Sequence, residues 1–240
     1  MPSIDLSKYP QPRIRHHTNP QVYLPLRQLH IVPPNYPPLI EHIDWQRLFQ
    51  DGRPPAVLDI GCGMGRFLIE YALGHPERNI LGVEVRKPAV EWIGTVIRGE
   101  HIANAAVLWY SVANGLPFIE SESLDAVTYF FPDPWFKKRH AKRRAFTPAL
   151  VEELYRILQP GGALYLMTDV PEVDMYQRML LAEHGGFDIV EVTSEELWFP
   201  QRTDQELFCL SKGIPYVRLR CAKRQRMRCS DPRFPDESFV

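Results

Sequence analysis

The stretch that most restricts what this chain can fold into is residues 56–73. Ala56-Val57-Leu58-Asp59-Ile60 reads as a buried strand, Gly61-Cys62-Gly63-Met64-Gly65 as a glycine-rich turn, and residues 66–73 as a helix. A strand that hands directly to glycines and then to a helix is the entry to a nucleotide-binding α/β unit. Glycine backbone admits a ligand at close range, and the free N–H groups of the helix N-terminus suit an anion. The spacing is GxGxG rather than GxGxxG, which favours a ligand smaller than a dinucleotide and carrying a carboxylate, as in S-adenosylmethionine. Gly61, Gly63 and Gly65 are the candidate cofactor contacts in this turn.

The alternation of strand and helix continues downstream. Residues 79–85 (NILGVEV) form a second strand ending in Glu84, an acid placed to accept from both hydroxyls of a ribose. Residues 87–99 are helical, with Val90, Ile93 and Ile97 on one face, and 105–109 are a third strand. The loop 110–116 beyond it borders an adenine, through the backbone of Val112 and Ala113 or through Asn114. Residues 124–131 are a fourth strand, expected beside the first where strand order reverses. Thr147 and Pro148 are an N-cap and first helical residue, with Leu150, Val151, Leu154, Ile157 and Leu158 facing inward. Gln159-Pro160-Gly161-Gly162 is read as the stop, followed by a fifth strand over 163–168, a helix over 173–184, and strands over 187–192 and 214–222. The expected fold is Rossmann-like α/β, a seven-stranded, mostly parallel sheet with helices on both faces. Three parts are expected: a proline-rich arm (1–38), the catalytic domain (39–222) and a basic, flexible tail (223–240). The domain is expected to open on a short amphipathic helix over 39–49, carrying Leu39, Ile40 and Ile43.

Residues 130–144 read FFPDPWFKKRHAKRR. An acid between two prolines at a strand end is held rigidly, because each ring fixes its own φ and excludes the preceding residue from the helical region. The cations behind it suit a phosphate backbone, while the acid and aromatics handle a base. A formal net charge of -1 excludes a uniformly basic coat but leaves room for such a patch. A second cluster, Arg218, Arg220, Lys223, Arg224, Arg226 and Arg228, either extends that track or is a solvated tail. Cys62, Cys209, Cys221 and Cys229 form no CxxC pair and no zinc spacing, as expected of reduced thiols. No apolar run reaches the roughly 20 residues of a membrane span and no signal pattern opens the chain, so a cytoplasmic location is expected.

Strand, GxGxG and helix, an acid-ended strand, and FFPDPW followed by KKRH and KRR together resemble the bacterial tRNA (guanine-N7-)-methyltransferases of the TrmB type, over about residues 57–220. The resemblance implies a class I methyltransferase fold, S-adenosyl-L-methionine as donor, no metal, and guanosine 46 of the tRNA variable loop as acceptor. It makes Asp59 and Glu84 the cofactor-side acids, although the first is usually glutamate. Asp133 matches the active-site acid, Lys137 the substrate-side lysine, Asp169 the acid of a TD pair, and residues 203–206 a TxFE motif, with Thr203 and Glu206 toward the substrate. Gln205 stands where the family has Phe, and Val112 where many relatives carry Asp or Asn.

Guanine N7 has a free lone pair, so no proton need be removed before attack on a sulfonium methyl. What is required is in-line positioning and stabilisation of spreading positive charge. Asp133 therefore receives an orienting and electrostatic role, beside the cofactor as well as the base. tRNA is the expected partner, no membrane or obligatory protein partner is called for, and a monomer or a homodimer is compatible with the sequence. A methyltransferase for another RNA, a small molecule or a protein would keep the glycine turn without needing the basic run beside the acid. An inactive RNA-binding subunit would keep the basic run without an open crevice.

Overall fold

A computed structural model describes residues 4–14, 19–134 and 144–225. In chain order its regular elements are β1 (Val57–Ile60), α1 (Arg66–Gly74), β2 (Ile80–Glu84), α2 (Lys87–Gly99), β3 (Ala105–Trp109), β4 (Leu124–Phe130), α3 (Pro148–Ile157), β5 (Leu158–Thr168), α4 (Pro171–His184), β6 (Phe187–Glu191), α5 (Asp204–Lys212) and β7 (Val217–Lys223). The strands form one seven-stranded sheet in the order β3-β2-β1-β4-β5-β7-β6. Strands β1 to β5 pair in parallel, and β7 runs antiparallel between β5 and β6. The order turns around between β1 and β4, where the outgoing connections part and leave a crevice at the carboxyl edge.

Side chains alternate along each strand, so successive residues serve opposite layers. Leu58 and Ile60 join the core that holds Leu150, Leu154 and Leu181 of α3 and α4; Val57 joins the one that holds Phe67, Trp92 and Ile93 of α1 and α2. Helices thus cover both faces, as the alternation required. The Thr147 hydroxyl accepts from Leu150 N at 3.2 Å, with Pro148 opening α3, as the capping pattern in the sequence dictates.

Two local expectations are corrected. Residues 39–49 contain no α-helix, only a single 3-10 turn at Trp45–Arg47. The Asp44 carboxylate caps Gln46 N at 3.2 Å, and this local bond competes with helix continuation. Ile40, Ile43, Trp45 and Leu48 pack on the core from irregular backbone instead. Residues 159–162 do not separate helix from strand. β5 starts at Leu158, directly after α3, and its register on β4 shifts between Leu124 and Ala126 to accommodate the extra residues.

Residues 4–14 and 19–36 are fastened to the domain by hydrogen bonds. The Tyr9 hydroxyl donates to Glu100 at 2.8 Å, and Trp92 Nε1 donates to the Tyr9 carbonyl at 3.1 Å. Further on, the Ser111 hydroxyl donates to the Val22 carbonyl, and Leu26 N donates to Asn114 Oδ1 at 2.8 Å. Cys62, Cys209 and Cys221 are free thiols; Cys229 lies outside the described residues. Among the described residues no helix is long and apolar enough to cross a membrane, and no group of three or more His, Cys, Asp or Glu is arranged to hold a metal ion.

Candidate active site

The carboxyl ends of β1, β2 and β4 wall the crevice, together with the loop after β3 and the arm. Its lining includes Gly61, Glu84, Arg86, Val112, Asp133 and Tyr23. Gly61, Gly63 and Gly65 all have positive φ, which this turn needs and an L side chain resists. No atom lies within 4 Å of where a Gly61 Cβ would stand, so a ligand can reach that backbone. At Gly65 the space is taken by packing instead: a Cβ would meet Ile93 at 2.9 Å, which locks α1 against α2.

Glu84 is nearly buried and heavily committed. Its Oε2 accepts from Gly63 N at 3.0 Å and Arg86 Nη2 at 3.2 Å; its Oε1 accepts from Arg86 N and Nε, both at 3.0 Å. Those four donors account for the lone-pair directions of a carboxylate. The acid at the end of β2 can take ribose hydroxyls only by loosening its Arg86 fork. Arg86 was not singled out from the sequence; the signal available was a cation two residues beyond the strand-end acid.

Asp59 lies deeper, 3% exposed, facing its β4 neighbour Thr128, whose hydroxyl donates to Oδ1 at 2.7 Å. Burial pushes its carboxyl up to about 7, with the Glu84 charge adding to the rise and the Thr128 bond opposing it. Because the folded-state value is raised, the unfolded chain loses this proton first as pH rises from about 4 to about 7. Stability attributable to Asp59 falls across that window and levels off above it. Asp59→Asn, which cannot ionise, is expected to lack this decline. Relative to the parent it gains on the order of 4 kcal/mol by pH 8, while matching it near pH 4. Urea denaturation of both proteins from pH 4 to 8 measures this; a constant difference across the range would contradict a protonated Asp59.

Phe131 precedes the PDP turn with φ 47°, a left-handed conformation that is costly for an aromatic residue and worth about 1–3 kcal/mol of stored strain. Its N–H is held by the Met167 carbonyl at 2.7 Å. This twist and the flanking prolines bring the exposed Asp133 to the crevice wall. There Oδ2 accepts from the Tyr23 hydroxyl at 2.6 Å. Burial raises the Tyr23 phenol well above its ordinary value, and the Asp133 charge and hydrogen bond add to the rise, so Tyr23 remains a donor. Tyr129, beneath the same acid, is raised by burial and by Asp133 in the same way.

The remaining candidates are distributed differently from the expectation. Val112 lines the crevice, whereas Ala113 and Asn114 face a separate depression beside Pro25 and Leu26. Asn114 is engaged by the N-terminal arm: its Oδ1 accepts from Leu26 N, and its Nδ2 donates to the Tyr36 hydroxyl at 2.9 Å. Asp169, at the end of β5, accepts from Gln205 Nε2 at 3.2 Å, so the residue replacing the family Phe grips the TD acid. Thr203 and Glu206 are both engaged within the fold. They form the capping box of α5, with Glu206 N donating to Thr203 Oγ1 at 3.0 Å. The Glu206 carboxylate is fully buried and paired with Arg202 at 2.7 Å and Arg218 at 2.6 Å. Arg218 and Lys223 of the second basic cluster also turn inward, Lys223 donating to the Leu158 carbonyl at 2.7 Å. Trp135, Lys137 and the basic run as far as Arg143 lie outside the described residues, as do Arg226 and Arg228.

A seven-stranded sheet of this order, with a glycine turn after β1, an acid at the end of β2 and another in the turn just beyond β4, defines a class I S-adenosylmethionine-dependent methyltransferase fold. The 16S rRNA methyltransferase KamB shares the fold, with a TM-score of 0.55 at 17% identity over 78% of this chain and 96% of that one. Residues 53–212 match the family model described as "Putative methyltransferase". The tRNA (guanine-N(7)-)-methyltransferase of Thermosynechococcus vestitus is 37% identical over 191 residues, 75% of this chain and 86% of the relative. That of Synechococcus sp. (strain JA-3-3Ab) is 37% identical over 219 residues, 90% of this chain and 87% of the relative. The enzyme of the same name from Microcystis aeruginosa is 36% identical over 214 residues, 86% and 95% respectively. The chain belongs to the tRNA (guanine-N7-)-methyltransferase family.

Proposed function

We propose that this protein transfers the methyl group of S-adenosylmethionine to N7 of guanosine 46 in the variable loop of tRNA. The observation that carries the reading is the position of Asp133, an exposed, rigidly held acid on the wall of the crevice that also presents Gly61, Glu84 and Val112. These residues fit the cofactor: Gly61 leaves open space before its backbone, and Glu84 is a buried acid at the end of β2. When bound, the cofactor supplies an electrophilic methyl. Gly61 and Val112 offer backbone to it, and Glu84 exchanges donors from Arg86 for the ribose. Asp133 exchanges its Tyr23 partner for a guanine N–H donor and offsets the positive charge that the purine acquires. No general base is needed, since the N7 lone pair is free. Lys137 and its neighbouring cations receive the phosphates around the acceptor.

Purified protein incubated with labelled S-adenosylmethionine and unmodified tRNA is expected to yield 7-methylguanosine that maps to position 46. Label in another nucleoside, or none, would overturn the reading. Binding of tRNA is expected to weaken steeply with salt, log K falling linearly against log salt by about 0.7–0.9 for each phosphate neutralised. Filter binding between 50 and 300 mM salt measures the slope. Charge-neutral substitutions at Lys137, Lys138 and Arg139 are expected to flatten it, and an unchanged slope would remove the basic run from the tRNA track.

A further inference from the structure

A second cavity adjoins the crevice across Tyr129, Pro132, Asp133 and Ala145, which line both. Its far wall is the first half of α4, with Tyr176 and Gln177. Gln177 occupies the inward phase of that helix with Leu180 and Leu181, and is 1% exposed. Neither Oε1 nor Nε2 of its amide has a hydrogen-bond partner among the described residues. Two orphaned amide atoms in a core carry a desolvation cost that nothing returns. An apolar residue would fill that helix position more favourably. The anomaly lies at a cavity that shares its acid with the cofactor crevice.

We propose that this cavity is the acceptor-base subsite and that Gln177 reads the purine. The proposal rests on the guanine N7 reading above and extends it to a residue outside the glycine, PDP, TD and TxFE motifs. Guanine's C6 carbonyl and N1–H form a cis-amide edge, complementary to a primary amide: Gln177 Nε2 donates to O6 and Oε1 accepts from N1–H. Both orphaned atoms are then satisfied, and N2–H₂ remains for Asp133. Adenine offers N6–H₂ and an N1 acceptor. The amide can turn to meet these, but Asp133 then faces no exocyclic donor at C2, so the pair reads guanine together. Tyr176, whose ring lies 4.3 Å from the Arg144 guanidinium carbon, adds an aromatic wall.

The test compares Gln177→Met with the parent on two tRNAs, one natural and one assembled with 2-aminopurine at the acceptor position. 2-Aminopurine keeps N7 and N2–H₂ but lacks both O6 and N1–H. The parent is expected to favour guanine in kcat/KM by about 10- to 100-fold, and Gln177→Met to bring that ratio near one. Removing the unpartnered amide is also expected to raise Tm, by about 2–4 °C in a chain of this size. A merely structural glutamine would give the opposite Tm change and leave the ratio intact; either result overturns the subsite. Gln177→Leu repeats the comparison should the methionine variant not fold. A parent that methylates natural tRNA at guanine N7 but shows no preference over 2-aminopurine sinks the subsite alone. A parent that methylates no guanine N7 sinks the broader reading and this one with it.

Discussion

Asp133→Asn is expected to lower kcat by about 10²- to 10³-fold while leaving cofactor affinity within about twofold. The asparagine is nearly the same size, so the Pro132 and Pro134 frame and the Phe131 twist survive. What changes is charge. A carboxylate accepts from a guanine donor and opposes the cation that grows on the purine as N7 takes the methyl. A primary amide does neither fully, and presents an N–H₂ where an acceptor is wanted. Because that charge exists only as the bond forms, the loss belongs in kcat rather than in ground-state binding. Single-turnover methylation alongside calorimetric titration of S-adenosylmethionine separates the two. Tyr23 gives an internal control on the geometry: its hydroxyl touches Asp133 Oδ2 at 2.6 Å in the free protein, so a guanine donor must displace or share that contact. Equal losses in turnover and cofactor affinity would mean that Asp133 builds the cofactor pocket instead of acting on the base.

Much of this site could be read from local sequence because local rules dictate it. The turn at Gly61–Gly65 needs positive φ three times, so glycine marks it directly. Thr147 and Pro148 mark the start of α3 by capping chemistry alone. The carboxylate of Glu84 follows from a strand-end acid in an apolar run. What could not be read were the partners that tertiary packing assigns. Nothing local says that Arg86 folds back on Glu84, that Tyr23 reaches Asp133 from more than a hundred residues away, or that Asn114 is tied to Tyr36. Residues 39–49 misled because a helix-like apolar spacing was opposed by Asp44, which prefers to cap its own turn. Thr203 to Glu206 is the instructive case. T-D-Q-E before an apolar run is also a capping-box pattern, and that reading alone anticipates what the backbone does there.

The same four residues supply a second large effect. Glu206→Ala is expected to destabilise the fold by about 3–5 kcal/mol, because it strands a buried charge rather than deleting a contact. Arg218, on β7, is 5% exposed and pairs with Glu206 at 2.6 Å; Arg202, just before α5, pairs with it at 2.7 Å; and the Tyr216 hydroxyl donates to it at 3.2 Å. Glu195 also reaches Arg218, at 2.6 Å, but it is 61% exposed, and solvent would replace most of what it offers. Glu195→Ala is therefore expected to cost no more than about 1 kcal/mol. Urea denaturation of the two variants gives the comparison, and cofactor titration at low denaturant shows whether the folded fraction still binds. The family resemblance places Glu206 on the substrate, which predicts a different pattern: near-parental stability with a large loss of turnover. That result would mean the carboxylate leaves its arginines to meet tRNA. A stability loss of several kcal/mol, with binding retained in the molecules that remain folded, assigns Glu206 to the joint between α5 and the antiparallel edge of the sheet.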